Sequence, residues 1–89
     1  MRFKIPSSFQ LAGVAWTVEE VQGLDELGFT HRDSQLIQLQ AEAKKETKEI
    51  AFFHEIIHAI KFAMGEDDHD EIHTDAFGQL LHQIITTMR

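Results

Sequence analysis

The chain has 89 residues, of which 43% are hydrophobic, and this composition fits one small folded domain rather than a disordered segment. Its formal net charge is −7, with eight Lys and Arg against fifteen Asp and Glu, which argues against a binding surface for nucleic-acid phosphates. It contains no Cys, so disulfides and thiolate zinc sites are excluded. Any metal ion must therefore be held by His and carboxylate side chains.

Residues 1–40 carry the signals of strands and turns. Apolar residues alternate with smaller or polar ones on both sides of Ala12-Gly13, which predicts a β-hairpin that turns there. Residues 35–40 read Gln-Leu-Ile-Gln-Leu-Gln and predict another short strand after a polar turn. This half of the chain predicts a small antiparallel or mixed sheet of about three strands.

Two helices are predicted after the sheet. The first spans residues 43–64, where the run Ile50–Met64 is mostly apolar and free of Gly and Pro, and Gly65 is the expected C-cap. The second lies within residues 70–88, after the acidic stretch Glu66–Asp70, which places negative charge at a helix N-terminus. The fold class is therefore predicted as α+β, with the sheet followed by an antiparallel two-helix hairpin.

The first helix contains His54-Glu55-Ile56-Ile57-His58, which is the pattern HExxH. Residues four apart on a helix lie on the same face, so His54 and His58 point two imidazoles at one spot. Their spacing suits two positions of a tetrahedral zinc ion. Glu55 lies beside the metal rather than on it, where a carboxylate can take a proton from a water on the zinc.

The alternative is that these are core histidines beside an ordinary surface glutamate. Six His in 89 residues make a chance pair easy to obtain. However, a helix that is apolar nearly all round gives a structural reason for Ile, Leu or Phe at these positions, and not for two His and a Glu. Buried polar groups cost free energy unless a partner satisfies them, and we therefore predict a metal site.

Two histidines leave such a site incomplete, because catalytic zinc usually has three protein ligands. The second helix has two different faces. Its apolar face is expected to pack in the core, and it carries His73, Phe77, Leu80 and Ile84. Its polar face carries Glu71, Asp75, Gly78 and His82. Gly78 is either an ordinary surface glycine or the place where another helix approaches closely.

The candidates for the third ligand are Glu71, His73 and Asp75. With Glu71 as the ligand, Asp75 lies one turn further on and can accept a hydrogen bond from the outer ring nitrogen of a ligating His. His73 lies on the apolar face, where a lone His is more often a core residue. Hairpin symmetry nevertheless favours His73, because it lies about as far after Gly65 as His58 lies before it. The residues alone leave the choice open.

These motifs resemble the zincin metallopeptidases, in particular the gluzincins. The matching residues are His54-Glu55-x-x-His58 and the second-helix pair Glu71 and Asp75, similar to the Glu-x-x-x-Asp helix that gives gluzincins a third ligand and a supporting aspartate. The metzincin extension is absent, because Lys61 and Met64 stand where Gly and His are required.

Most of the chain also resembles short HExxH proteins of phages and prophages. Those proteins share a Gly-Phe-Thr turn like Gly28-Phe29-Thr30 before a short strand, and an acid matches Glu71, while the position of His73 tends to be apolar. This resemblance ranks Glu71 before His73. It implies a single minimal zincin-like domain over residues 1–89.

The resemblance implies a zinc-dependent metallopeptidase. In this interpretation His54, His58 and Glu71 hold Zn²⁺, Asp75 orients a ligand, and Glu55 is the general base. The alternative is a catalytically inactive, zinc-stabilised binding or regulatory protein of phage or prophage origin. Many gluzincins stabilise the oxyanion with a further Tyr or His. This chain has no Tyr, and the substitutes are His82, His31 and Arg32, each of which is otherwise a surface residue.

The expected partner is a peptide or protein substrate, bound in extended form along an exposed strand edge at residues 35–40. A homodimer through Phe52, Phe53 and Phe62 stays open, and the alternative is that the sheet and the second helix cover them. No apolar run approaches membrane-spanning length, and the N-terminus lacks the apolar segment of a signal peptide. We therefore expect no membrane partner and a cytoplasmic protein, in a bacterial host if a phage encodes it.

Overall fold

The computed structural model describes residues 3–66 and 70–88, and it consists of four strands followed by two helices. The elements are β1 (Ser8–Leu11), β2 (Val14–Val21), β3 (Gly28–His31), β4 (Leu36–Gln40), α1 (Lys45–Ala63) and α2 (Glu71–Thr87). The α+β class is confirmed, with four strands in place of the three predicted. Part of the acidic stretch predicted before α2, residues 67–69, lies outside the described residues.

The predicted hairpin forms between β1 and β2. Ala12 and Gly13 both have positive φ, 52° and 77°, as a two-residue turn that matches the twist of its strands requires. β2 then pairs in parallel with β4, and β4 pairs antiparallel with β3. The sheet is therefore mixed, with the strand order β1-β2-β4-β3.

Two expectations about the sheet are wrong. Gly28-Phe29-Thr30 was expected as a turn, but these residues belong to β3, and the turn comes later, at 32–35. β4 was expected to offer a free edge, but it is hydrogen-bonded to a strand on each side. The free edge beside the helices belongs to β3. A four-residue strand that begins with Gly and ends with His has a weak strand signal, which is why the sequence pattern missed it.

The molecule has three layers, with α1 in the middle. One face of the sheet, with Trp16, Val18, Ile37 and Leu39, packs against α1. α2 packs on the opposite side of α1. Burial from both sides explains why α1 is apolar nearly all round. Phe52 and Phe53 are 4% and 6% exposed, so other parts of the same chain cover them, as the alternative to a dimer through α1 requires.

The turn after α1 sends the chain back along it. Gly65 has φ 79°, a conformation that favours glycine, and its N–H donates to the carbonyl of Phe62 at 3.0 Å. The N–H of Glu66 donates to the carbonyl of Lys61 at 2.9 Å, which completes a Schellman motif. The C-cap is thus Met64, one residue before the predicted Gly65, and Gly65 provides the left-handed residue that ends the helix. α2 begins beyond Asp70, whose side chain accepts from the backbone N–H of His73.

α2 meets α1 with the opposite face from the one predicted. Thr74 and Gly78 are buried against α1, whereas the expected core stripe is exposed. That exposed stripe consists of His73, Phe77, Leu80 and Ile84. The polar face packs inward because α1 offers polar partners there. Lys61 is buried and donates to Thr74 Oγ1 at 2.8 Å.

Gly78 allows the two helices to approach closely. A Cβ atom at this position would lie 3.0 Å from both the Cα and the backbone N of His54, which is closer than side-chain carbons normally pack. Of the two interpretations of Gly78, the close approach of a helix is confirmed. Neither α1 nor α2 has the length and hydropathy needed to cross a membrane.

Candidate metal centre

Three potential metal ligands from the two helices converge at the α1–α2 contact. Nε2 of His54 lies 2.9 Å from Oε2 of Glu71, and Nε2 of His58 lies 3.1 Å from Oε1 of the same carboxylate. The imidazole centroids are 5.0 Å apart. Among the described residues, these are the side chains whose ligand atoms all lie within 4.8 Å of one another.

Local structure explains the convergence. His54 and His58 are one helical turn apart, so both rings stand on the side of α1 that faces α2. The missing side chain of Gly78 lets α2 lie close to His54. A buried hydrogen bond between Lys61 and Thr74 joins the same two helices. Lys61 comes three residues after His58 on α1, and Thr74 comes three residues after Glu71 on α2. This bond fixes the position of Glu71 along the axis of α1.

Asp75 lies behind His54, as proposed for a residue that orients a ligand. Its Oδ1 is 3.5 Å from Nδ1 of His54, while the other ring nitrogen faces Glu71. A carboxylate on the outer nitrogen of an imidazole fixes the ring orientation and its tautomer. On the other histidine, the ring of Phe62 stacks at 6.3 Å from that of His58. Each imidazole therefore has a neighbouring side chain on its outer side, Asp75 for His54 and Phe62 for His58.

Glu55 is buried beside the cluster, between α1 and β3. Its Oε1 accepts a hydrogen bond from Thr30 Oγ1 at 2.7 Å, and the residue is 7% exposed. Burial raises the pKa of the Glu55 carboxyl above its ordinary value. The Thr30 hydrogen bond and the charge of His54 act against this effect, whereas Glu71 and Glu26 reinforce it. A carboxyl with a raised pKa is a better proton acceptor near neutral pH than an exposed one.

Gly28 makes the room for this carboxyl. A Cβ atom at Gly28 would lie 3.0 Å from Cγ of Glu55 and 3.2 Å from its Oε2. Gly28 and Thr30 are two residues apart on β3, so both face the helix layer. Sequence reasoning missed the roles of both. The signal available was a Gly and a Thr alternating just before a turn, but their contact with Glu55 depends on a strand that the pattern did not reveal.

Burial also acts on His58. It lowers the pKa of the imidazole, against the opposing effect of Glu71, while His54 and Lys61 lower it further. A lowered pKa favours the neutral ring, which is the form that binds a metal ion. His58 is thus prepared for ligation over a wider pH range than an exposed histidine.

The donor set fits zinc. Two imidazoles and one carboxylate are the ligands of gluzincin-type sites, and zinc bonds of about 2.0–2.2 Å bring such atoms to about 3–4 Å from each other. The nitrogen–oxygen distances of 2.9 and 3.1 Å are close to that range. Glu71 is 62% exposed on its side chain, so it can adjust its rotamer at little cost.

The other predicted site residues lie elsewhere. His73 is exposed on the outer side of α2, against Phe77. His82 packs on Phe53, with Nε2 3.0 Å from Oε1 of the buried Glu49. The structure therefore brings Glu71, and neither of these histidines, to the HExxH residues.

The remaining two predicted site residues are His31 and Arg32. His31 is the last residue of β3, and Arg32 follows it. His31 is on the outer face of the sheet, with Nε2 2.7 Å from Oε1 of Gln38, whereas Thr30 faces the helices. The guanidinium of Arg32 lies 5.2 Å from the ring centroid of Phe62. Arg32 is thus separated from His58 by that ring.

Two concavities flank His54 and Glu55 and share Gly28 as part of their wall. One, of about 350 Å³, is bounded on the N-terminal side of α1 by Leu27, Thr47, Ile50 and Ala51. The other, of about 380 Å³, includes His58, Phe62 and Glu71. His54 and Glu55 thus line both concavities, whereas His58 and Glu71 line the second.

A scan against models of protein families, a search of curated proteins and a search of solved structures each found no match to this chain.

Proposed function

We propose that this protein is a zinc-dependent metallopeptidase. The observation that carries the proposal is the convergence of His54, His58 and Glu71 from two helices, with the buried carboxyl of Glu55 beside them. A chance pair of histidines on one helix would not require a third donor to arrive from another helix. The resemblance to gluzincins, which rests on these same residues and Asp75, supports this interpretation.

The residues of this chain suit each part of peptide hydrolysis. Zinc, when bound, lowers the pKa of a coordinated water towards neutrality and polarises a peptide carbonyl. His54, His58 and Glu71 would hold the ion, and Asp75 keeps His54 oriented. Glu55 takes the proton from the attacking water and passes it to the leaving amine. Thr30 holds the Glu55 side chain in place during both transfers.

The substrate in this proposal is an extended peptide that adds to the edge of β3. That edge is the free edge of the sheet on the side of Glu55, because β3 is the last strand in the order. Extended peptides bind such edges through main-chain hydrogen bonds. The pocket with Leu27, Ile50 and Ala51 would accept an apolar substrate side chain of moderate size.

Replacing Glu55 by Gln tests the proposal. Gln keeps the shape and the acceptor for Thr30 but is not a base, so we expect zinc binding to persist and cleavage to fall by a factor of about 10² or more. The measurement is peptide cleavage across a diverse library, read by mass spectrometry, beside zinc content. Glu46→Gln, at an exposed position in the first turn of α1, is the matched control and keeps full activity. Cleavage by Glu55→Gln at the wild-type rate would contradict the role of Glu55.

A second candidate is an inactive zinc-stabilised binding or regulatory protein with the same fold. The chain has no Tyr, His82 pairs with Glu49, and His31 lies on the outer face of the sheet. None of these provides the oxyanion donor that many gluzincins use. Stoichiometric zinc in the wild type, together with no cleavage of any library peptide, would support this candidate against the enzyme.

A further inference from the structure

The concavity that includes His58 and Glu71 has a negatively charged wall, and we call it the acidic concavity. Its described residues include three carboxyls, from Glu26, Glu55 and Glu71, and no Lys or Arg. In the proposed function Glu55 is the general base and Glu71 is a metal ligand, whereas Glu26 has no role. No Lys, Arg or His of the described residues lies within ion-pair distance of Glu26.

Glu26 lies at the start of the free sheet edge along which a peptide is proposed to bind. It is exposed and comes two residues before Gly28, the first residue of β3. It is also close enough to Glu55 for its charge to contribute to the raised pKa of that carboxyl. The next residue, Leu27, lines the other concavity, which we call the apolar concavity. Neighbouring residues thus supply a carboxylate to one concavity and an apolar side chain to the other.

The charge of Glu26 stays unbalanced when a metal ion occupies the centre. The two positive charges of Zn²⁺ are matched by the carboxylates of Glu71 and Glu55 when both are ionised, and neutral imidazoles add no charge. Glu26 is therefore the carboxylate of this wall that is left without a counter-charge. A positively charged group of a substrate can supply that counter-charge, through a charge-assisted hydrogen bond to the Glu26 carboxylate.

We propose that Glu26 is a specificity-determining residue, which selects peptides that carry a positive charge on one side of the cleaved bond and an apolar side chain on the other. The apolar side chain occupies the concavity at Leu27, Ile50 and Ala51, and the positive charge lies beside Glu26 in the acidic concavity. The charge belongs to a Lys or Arg side chain or to the free N-terminal amine of a short peptide, since a carboxylate binds both kinds of cation. This inference rests on the proposed function, and it names the class of substrate.

The exposure of Glu26 limits the size of this preference. An exposed ion pair changes an equilibrium by up to about fivefold, and salt screens it, so the preference decreases as ionic strength rises. The net charge of −7 also attracts cationic peptides, but this effect acts at long range and is shared by all the acids of the chain. Removing a neighbouring acid outside both concavities therefore separates the two effects.

Cleavage of matched peptides tests the proposal. The peptides are N-acetylated alanine peptides with one Leu, and with Arg, Gln or Glu placed at a series of distances before or after it. At the spacing that fits both concavities, we expect the wild-type kcat/KM to be about fivefold higher for Arg than for Gln. Glu26→Gln cleaves these two peptides equally, and Glu26→Lys prefers the Glu peptide. The Gln peptides with free N-termini show whether the terminal amine replaces Arg.

Asp25→Asn is the matched control, because it removes the same charge at the adjacent exposed position, and Asp25 is not among the described residues that line either concavity. It keeps the preference for Arg. Both positions are exposed, so the variants keep the fold, which circular dichroism and zinc content check. If the wild type cleaves the charged and uncharged peptides equally, or if Glu26→Gln keeps the preference, the proposal is overturned and the peptidase stands.

Peptide binding separates this inference from the proposed function. Fluorescence anisotropy measures the Kd of the same peptides, labelled at the C-terminus, for zinc-loaded Glu55→Gln protein, in which Glu26 is intact. We expect the Kd to be about fivefold lower for Arg than for Gln, and equal in the double variant that also carries Glu26→Gln. If the wild type cleaves nothing but this difference in Kd is found, recognition of the cation by Glu26 stands and the peptidase is wrong. Absence of both cleavage and the difference in Kd would overturn both.

Discussion

The carboxyl of Glu55 lies in a space that two small features of β3 create. Gly28 leaves room for the side chain, and the Thr30 hydroxyl donates to Oε1. Burial without a cationic partner would be costly for a carboxylate, and this chain offers the neutral Thr30 donor and the nearby imidazole of His54 instead. The result is a carboxyl whose pKa is raised and which is held by Thr30 beside the cluster.

The raised pKa predicts how stability depends on pH in protein kept metal-free with a chelator. The folded state holds the Glu55 proton more tightly than the unfolded state, so the stability that Glu55 contributes is lost as pH rises from about 4.5 through its folded pKa. Glu55→Gln has no such proton. The difference in free energy of unfolding between Glu55→Gln and the wild type should therefore grow with pH over this window, as urea unfolding can measure. If the difference in free energy of unfolding were the same at all pH values, it would contradict a buried Glu55 carboxyl with a raised pKa.

A site residue could be predicted from the sequence when its partners lie close to it along the chain. The spacing of His54 and His58 on one helix is enough to predict that both imidazoles point the same way. Glu71 comes from another helix, and its rank above His73 depended on the resemblance to gluzincins. Gly28 and Thr30 could not be predicted, because their contact with Glu55 joins residues about 25 positions apart along the chain.

At the scale of elements, α2 shows why hydrophobicity alone does not choose the buried face of a helix. The apolar stripe of α2 was expected inside, yet Thr74 and Gly78 are the residues buried there. α1 presents His54, Lys61 and Glu49 towards α2, and these polar groups need partners, while Leu81 and Ile85 are the apolar residues of α2 that pack against the core. Glu71, Thr74 and His82 supply those partners. The pattern of one helix cannot reveal what its neighbour requires.

Gly78→Ala tests the close approach of α2 to α1. Ala is normally the better helix former by about 0.5–1 kcal/mol, so an ordinary helical glycine would gain stability from the change. Here the added methyl would meet the backbone of His54, and we expect a loss of about 1–3 kcal/mol in urea unfolding. Gln83→Ala, at an exposed position on the same helix, should change stability by less than about 0.5 kcal/mol. A more stable Gly78→Ala protein would show that the helices are further apart than described.

At the scale of the whole molecule, the three layers explain how one helix supplies both the histidines and the glutamate of the site. The middle position of α1 lets one helix present Glu55 towards β3 and both histidines towards α2. The fold class and both helices could be predicted from periodicity, whereas the fourth strand and the parallel pairing of β2 with β4 could not, because strand pairing is non-local. A domain of this size has a modest core, so a metal ion that joined α1 to α2 would add substantially to its stability.

Zinc content of the purified protein is the most direct test of the account, measured by elemental analysis for the wild type beside three single alanine variants. We predict one zinc per wild-type chain, a loss of that zinc in His54→Ala and Glu71→Ala, and full retention in His73→Ala. Glu71 and His73 are both exposed and lie two residues apart on α2, so the two variants are matched in their effect on the fold. A wild type without zinc and with no affinity for added zinc, or a loss of zinc in His73→Ala but not in Glu71→Ala, would contradict the proposed centre.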